Sequence, residues 1–426
     1  MRLNDDLGLG ARRIFADELI ARVNTQPESR VALGSMGRRF EPEALGRYYS
    51  VSVGDSEEEI RRARSLADAL VRSGHAETAY VKPAVELPTS TSSSSLESQQ
   101  GYLEKAPAGI DARFAWTRSG GLGSGVKVFD VEGDWNLSHE DFPTIARLSD
   151  GSFRDIEFRN HGTAVLGIMS AVHNGFGVSG IAPGAAYSVV SHSDTNMSSS
   201  AAISQGAQQM NGGDVMLLEM HSPGPKHSYQ YRSDQLGYIA MEWFEDDLVA
   251  IRVASSLGII VVEAAGNGAE NLDDPLYDQP MTGFSTSWRN PFRRGTANSG
   301  AILVGAGAPS DRSPLSFTNY GSALDAQGWG EKVATCGYGE PGETNENTFY
   351  TTSFGGTSSA TPIVAGAIAC VQGVLKAATH APLSPAEVRA ILRSTGSPQP
   401  GSTPRIGDLP DLRAMISQAL NLRASP

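Results

Sequence analysis

Asp214-Val-Met-Leu-Leu218, the stretch from Tyr238 to Ser256, and Gly258-Ile-Ile-Val-Val-Glu263 follow one another as apolar run, helical pattern and apolar run. Runs this short and uniformly apolar suit strands buried on both faces, and such strands belong to parallel sheets with helical crossovers. The pattern extends both ways along the chain. Val126-Lys-Val-Phe-Asp130 and Ala301-Ile-Leu-Val-Gly305 read as further strands, and His161 to Val172 reads as a buried helix. The fold class expected is α/β, a mostly parallel central sheet with helices on both faces.

Composition sets the outer bounds. With 426 residues and 40% hydrophobic content the chain can bury a large core, and 47 Gly and 23 Pro imply many tight turns. A net charge of -13 argues against a nucleic-acid partner, which needs a basic face. Two cysteines, Cys336 and Cys370, give no disulfide framework. The apolar run Ile363 to Leu375 is too short to span a bilayer, so no membrane partner is expected. The first residues lack the charged-then-apolar pattern of a secretory signal. A cytoplasmic location is the expectation, with export by another route left open.

Three regions separate by composition. Residues 1–88 read as a small N-terminal α+β domain. Tyr48 to Val53 alternates as a strand, and Ser56 caps a helix running to Ser73 with Glu57, Glu58 and Glu59 in its first turn. Gly74 ends that helix, and Thr78 to Val85 reads as a second strand. Residues 89–108 follow as a Ser/Thr-rich linker. Residues 109–426 form the large α/β domain.

Chemistry concentrates in that last region. Gly355-Gly-Thr-Ser-Ser-Ala-Thr-Pro362 precedes an all-apolar stretch that reads as a buried helix, placing Ser358 at or just before its N-terminus. Free N–H groups there suit a developing oxyanion, although Ser358 or Thr357 could equally serve as a plain helix cap. A serine nucleophile needs a base. His161, in Asn160-His-Gly-Thr-Ala-Val-Leu-Gly167, opens a helix and would face a cleft. Asp130 closes its strand at the sheet edge where ligands bind in open α/β folds, and could either orient His161 or serve as an ordinary turn residue.

Together these segments resemble the Asp, His and Ser signatures of the subtilisin-like serine peptidases, in that family's chain order. Ala264-Ala-Gly-Asn-Gly268 resembles the family's oxyanion-hole segment. The resemblance covers roughly residues 109 to 423. It implies a serine endopeptidase in which Ser358 attacks the peptide carbonyl, His161 takes its proton, Asp130 stabilises the imidazolium and Asn267 binds the oxyanion. No cofactor is required for that chemistry, and the partner implied is a peptide or protein substrate. An α/β-hydrolase esterase is excluded by order: His380 is the sole histidine after Ser358, and no Asp or Glu lies between them. A catalytically silent or self-inhibited binding module of the same fold is the alternative.

Departures from the family pattern mark a divergent branch. Leu217-Leu-Glu-Met-His221 aligns with a strand that binds the substrate backbone, which makes Glu219, Met220, His221 and Gly266 the implied substrate contacts. Glu219 stands where a serine is usual. It either recognises a basic or polar substrate group or turns away to pair locally. Val172-His-Asn-Gly-Phe-Gly-Val178 is similar to a structural calcium loop, with Val172, Asn174 and Asp141 as the implied ligands, and reads equally as a glycine-rich turn. The N-terminal domain resembles in part a propeptide that acts as an intramolecular inhibitor, with Tyr80 to Leu87 as its tail; a permanent accessory domain is the other reading.

Overall fold

The computed structural model describes residues 2–3, 12–26, 42–51, 56–82, 96–149, 155–192, 197–339, 344–402 and 404–424. In the N-terminal region, helix α1 (Asp17–Thr25) buries Leu19 and Val23. Helix α2 (Glu57–Arg72) starts where the sequence puts it. Ser56 and Glu59 form a reciprocal capping box, and three glutamates occupy the positive end of the helix. Of the tail expected at Tyr80 to Leu87, residues 83–87 lie outside the described residues, as do residues 89–95 of the expected linker.

The large domain is built on seven parallel strands: β1 (Lys127–Glu132), β2 (Ala146–Arg147), β3 (Ala186–Ser191), β4 (Val215–Leu218), β7 (Ile260–Ala264), β8 (Ile302–Gly307) and β9 (Ala326–Trp329). Two further strands, β5 (His221–Pro223) and β6 (Tyr238–Ala240), form an antiparallel hairpin. In space the sheet runs β9-β8-β7-β4-β1-β3-β2, every pairing being parallel. One face packs on α3 (Ile156–Ser170) and α6 (Thr357–Ala377), with α7 (Pro385–Thr395) and α8 (Leu412–Ala424) closing that core. The other face carries α4 (Ser199–Gln209) and α5 (Glu245–Ser256), and Phe15, Leu19 and Val23 of the N-terminal region join this second core. The α/β expectation therefore holds.

Local boundaries differ from expectation: in place of a strand beginning at Thr78, Ala76–Thr78 is the strand and residues 79–82 are not. Strand β1 does not stop at Asp130; Val131 keeps the apolar alternation going and the strand ends at Glu132. Tyr238 to Ser256 is not one helix. Tyr238–Ala240 pairs with His221–Pro223, and the helix begins at Glu245, where three acidic residues meet its positive end. Residues 96–108 belong to the folded body: Tyr102 and Leu103 are buried, and the Tyr102 hydroxyl donates to the Ala334 carbonyl at 3.0 Å.

Helix α6 is the axle of this arrangement. Nineteen of its residues, from Thr357 through Leu375, are buried. Its length and apolarity would suffice to cross a membrane, yet it is enclosed wholly by protein. Ile363, fully buried in the first core, has no room to be replaced by solvent. Ile363→Ala is expected to lower stability by about 2–4 kcal/mol, read as a shift in denaturant midpoint at unchanged m-value.

Candidate active site

The C-terminal ends of β1, β4 and β7 meet the starts of α3 and α6, and this junction holds the expected site residues. Ser358 is the second residue of α6, behind the cap residue Gly356. Pro362 lies inside the helix rather than in its first turn. It has no N–H to give the Ser358 carbonyl, which a regular helix would otherwise bond. Next to the serine, Thr357 gives both its backbone N–H and its hydroxyl to Asn267 Oδ1, each at 3.0 Å. That contact fixes the Asn267 amide and turns its Nδ2 outward, 3.4 Å from Gln235 Oε1. Asn267 and Ser358 are thereby held in one frame.

His161 lies in the second turn of α3, not at its start. Its Nδ1 is hydrogen-bonded to Glu132 Oε1, with both side chains fully buried. Its ring meets Phe354 edge-on, centroids 5.4 Å apart. The expectation for Asp130 is corrected here: its Oδ2 accepts the Trp135 indole N–H at 2.7 Å, and the carboxylate on His161 is that of Glu132. The reason is the two-residue period of a strand. Asp130 and Glu132 share a face, and Glu132, one repeat nearer the strand's end, reaches the imidazole. The continued alternation Val128, Asp130, Glu132 against Phe129, Val131 is the signal that locates it.

Trp135 is wedged into this junction by its neighbours. A Cβ on Gly162 would come within 2.6 Å of the Trp135 ring and 2.3 Å of the Asp134 carbonyl oxygen, so the residue after His161 has to be glycine. Arg147 pairs with Asp134 at 2.8 Å and covers the Trp135 ring at 5.4 Å. The Asn136 N–H donates to Thr163 Oγ1 at 2.9 Å.

Electrostatically the site is crowded with acid. Burial pushes Asp130 well above the usual carboxylate range, and the charge of Glu132 adds to this, while the indole N–H and His161 oppose it. Glu132 is raised by burial and by Asp134. Glu219 is raised by burial, then by Glu132 and Asp130, against a lowering influence of the Ser358 and Thr361 hydroxyls. His221 is pushed down to about 3 by burial and by His161. It is therefore neutral, and its Nδ1 accepts the Asn267 N–H at 3.2 Å.

The implied substrate contacts are not open to solvent. Glu219, Met220 and His221 are each 0% exposed. One edge of His221–Pro223 is taken by β6, and Gly266 and Gly268 pack directly on the Tyr238 backbone. What stays open is a cavity of about 350 Å³ beside Asn267, lined by Gln235, Asp234, Phe317, Glu331 and Gly355 among others.

The residues expected to bind calcium do not fit a cation. Asp141 Oδ1 accepts the Asn174 side-chain N–H at 2.7 Å, and Asp141 Oδ2 accepts the Val178 N–H at 2.8 Å. Asn174 Oδ1 takes the Phe176 N–H at 3.1 Å, and the Val172 carbonyl accepts the Asn174 N–H at 2.8 Å. The loop closes on itself by hydrogen bonds that occupy the oxygens a cation would need. Among the described residues no group of three or more His, Cys, Asp or Glu could hold a metal ion.

Comparison with known proteins bears on the whole arrangement. The subtilase family model matches residues 149–408, a stretch that holds His161, Asn267 and Ser358 but begins after Asp130 and Glu132. Subtilisin Savinase of Lederbergia lenta is 31% identical over 257 residues, 59% of this chain and 77% of its own. An extracellular protease of Xanthomonas campestris pv. campestris is 27% identical over 335 residues, 72% of this chain. A calcium-dependent protease of a Nostoc species is 29% identical over 293 residues, 64% of this chain. The matches span 53% and 41% of the lengths of those last two relatives. In fold, a solved protease of Pseudoalteromonas arctica is similar with a TM-score of 0.55, 23% identity and coverage of 76% of this chain and 98% of its own. With the seven-stranded parallel sheet, the matched stretch and these relatives agreeing, the chain belongs to the subtilase family of serine peptidases.

Proposed function

We propose that this protein is a serine endopeptidase in which Ser358 is the nucleophile, His161 its general base, Glu132 the acid that orients and charges against His161, and Asn267 the oxyanion donor. The observation that carries the reading is the buried contact between His161 Nδ1 and Glu132. A carboxylate on Nδ1 holds the imidazole in the tautomer whose Nε2 can take a proton, and it stabilises the imidazolium formed when that happens. Ser358 then adds to the peptide carbonyl and the oxyanion falls to the Asn267 amide and the first-turn N–H groups of α6. His161 returns the proton to the leaving amine, and water hydrolyses the acyl-enzyme through the same base. Calcium is not part of the proposal, because Asp141 already has N–H donors on both oxygens.

The N-terminal region is proposed to regulate access. Lys82 reaches Asp247, Ser199 at 2.6 Å and Asp246 at 3.3 Å, while the Tyr80 hydroxyl donates to Asp246. Arg22 donates to the Ala207 carbonyl at 2.9 Å. These contacts dock the region on the starts of α4 and α5 and on the end of α4. His161 and Ser358 are each 0% exposed, which fits a form of the site that has to open before substrate reaches it.

A serine-directed fluorophosphonate probe tests both parts. Wild type is expected to label, Ser358→Ala is expected not to, and Lys82→Ala, which strips Asp246 and Asp247 of their cation, is expected to label faster. Labelling that survives Ser358→Ala would remove the nucleophile assignment. A second comparison tests the acid. Glu132→Gln should lower kcat by about 10³–10⁴-fold, whereas Asp130→Asn, whose side-chain oxygen can still accept from Trp135, should lose far less. Equal losses, or the reverse order, would return the role to Asp130.

A further inference from the structure

Glu219 lies one residue beyond β4. The register of β4 on β1 pairs Asp130 with Leu217 and Val131 with Leu218, and the Glu219 N–H donates to the Val131 carbonyl at 3.3 Å. The next pair along is therefore Glu132 beside Glu219, and the two-residue period turns Glu219 to the face that Leu217 shares with α6. The side chain is 0% exposed, and neither carboxyl oxygen has a hydrogen-bond partner among the described residues. Its neighbours are the hydroxyls of Ser358 and Thr361. Ser358 Oγ likewise has no hydrogen-bond partner among the described residues.

A buried carboxylate needs a cation or several donors, and the surroundings supply neither. From β1 it faces Asp130 and Glu132, both acids. On α3, His161 has its Nδ1 on Glu132. On β5, His221 is neutral. On α6, the Thr361 hydroxyl spends its proton on the Thr357 carbonyl at 2.7 Å and can offer only lone pairs. A neutral carboxylic acid satisfies this setting: its O–H suits the Thr361 lone pairs, and its field leaves the Ser358 proton free for His161.

We propose that Glu219 is a positioning residue for Ser358, standing beside it as a protonated acid, and that loss of this proton switches the nucleophile off. The inference rests on Ser358 being the nucleophile. When Glu219 gives its proton to solvent base, the resulting carboxylate accepts the Ser358 O–H in competition with His161 Nε2. It also places a like charge where the oxyanion would form. The sign follows: activity is present below the Glu219 midpoint and is lost as pH rises through it, opposite to the gain on the acid side where His161 becomes a free base.

The test is the pH dependence of probe labelling and of kcat/KM for wild type and Glu219→Gln, together with the infrared carbonyl band of protonated carboxylic acids near neutral pH. Expected are an alkaline limb in wild type falling about tenfold per pH unit, its loss or upward displacement in Glu219→Gln, and disappearance of one protonated-acid band in the variant. Superimposable pH profiles with wild type labelling normally would overturn this proposal alone, as would an unchanged infrared band. No labelling of wild type at any pH would overturn the peptidase reading and carry this proposal with it. A Glu219→Gln variant that keeps the wild-type midpoint at lower overall rate would mark a packing role and also overturn it.

Discussion

The surroundings of His161 are governed by one constraint: three carboxylates share a dry pocket with a single imidazole placed to carry charge. Asp130, Glu132 and Glu219 are all fully buried at the ends of neighbouring strands. Three negative charges there could not be balanced by one imidazolium, so at most part of the set is ionised. The structure divides them by partner. Glu132 has the imidazole, Asp130 has one indole N–H, and Glu219 has no hydrogen-bond partner among the described residues. The Trp135 wedge, the glycine at 162 and the Arg147–Asp134 pair serve that division, since each keeps the indole on Asp130. Without it, Asp130 would be a second unpaired acid facing Glu132.

How far this was legible from the chain depends on the scale. The α/β alternation, the capped helix at Ser56 and the junction of His161, Ser358 and Asn267 follow from residue pattern, because burial on both faces and helix-end chemistry leave strong local marks. Which acid meets His161 does not, because Asp130 and Glu132 lie on the same strand face and only the point where β1 ends decides between them. The stretch from Tyr238 misleads for another reason. Tyr-Ile-Ala suits helix or strand, and the choice falls to a hairpin partner outside the local window, with Tyr238 opposite Pro223. In the loop after α3 the glycines and Asn174 fit two endings, and the direction of the Asn174 amide, which sequence does not encode, selects the hydrogen-bonded one.

Docking of the N-terminal region shows the same electrostatic economy. Helix α5 opens with Glu245, Asp246 and Asp247, favourable for its dipole, but packing buries Asp247 completely. A helix end alone is weak compensation for a buried carboxylate. Lys82 adds the missing cation and bridges to Ser199 at the start of α4, so two helices and the N-terminal segment share one polar centre. Lys82 and the Tyr80 hydroxyl hold Asp246 below the usual carboxylate range against its burial, while burial and the neighbouring Asp246 push Asp247 above it.

The hairpin of β5 and β6 then determines what shape of cleft remains. Tyr238 runs between His221 and the Gly266–Gly268 turn, close enough that a Cβ on Gly268 would fall 2.1 Å from its carbonyl oxygen. The Asn319 amide ties the same strand down, donating to the Tyr238 carbonyl at 2.8 Å and to the Ala265 carbonyl at 2.6 Å. Space beside Asn267 on that side is filled by the chain itself. The opening lies on the other side, toward Gln235, Phe317 and Glu331. Asn267 is locked to Thr357 and through it to α6, which fixes its amide relative to that opening. The hairpin loop that carries Asp234 and Gln235 therefore borders the space in front of the Asn267 amide.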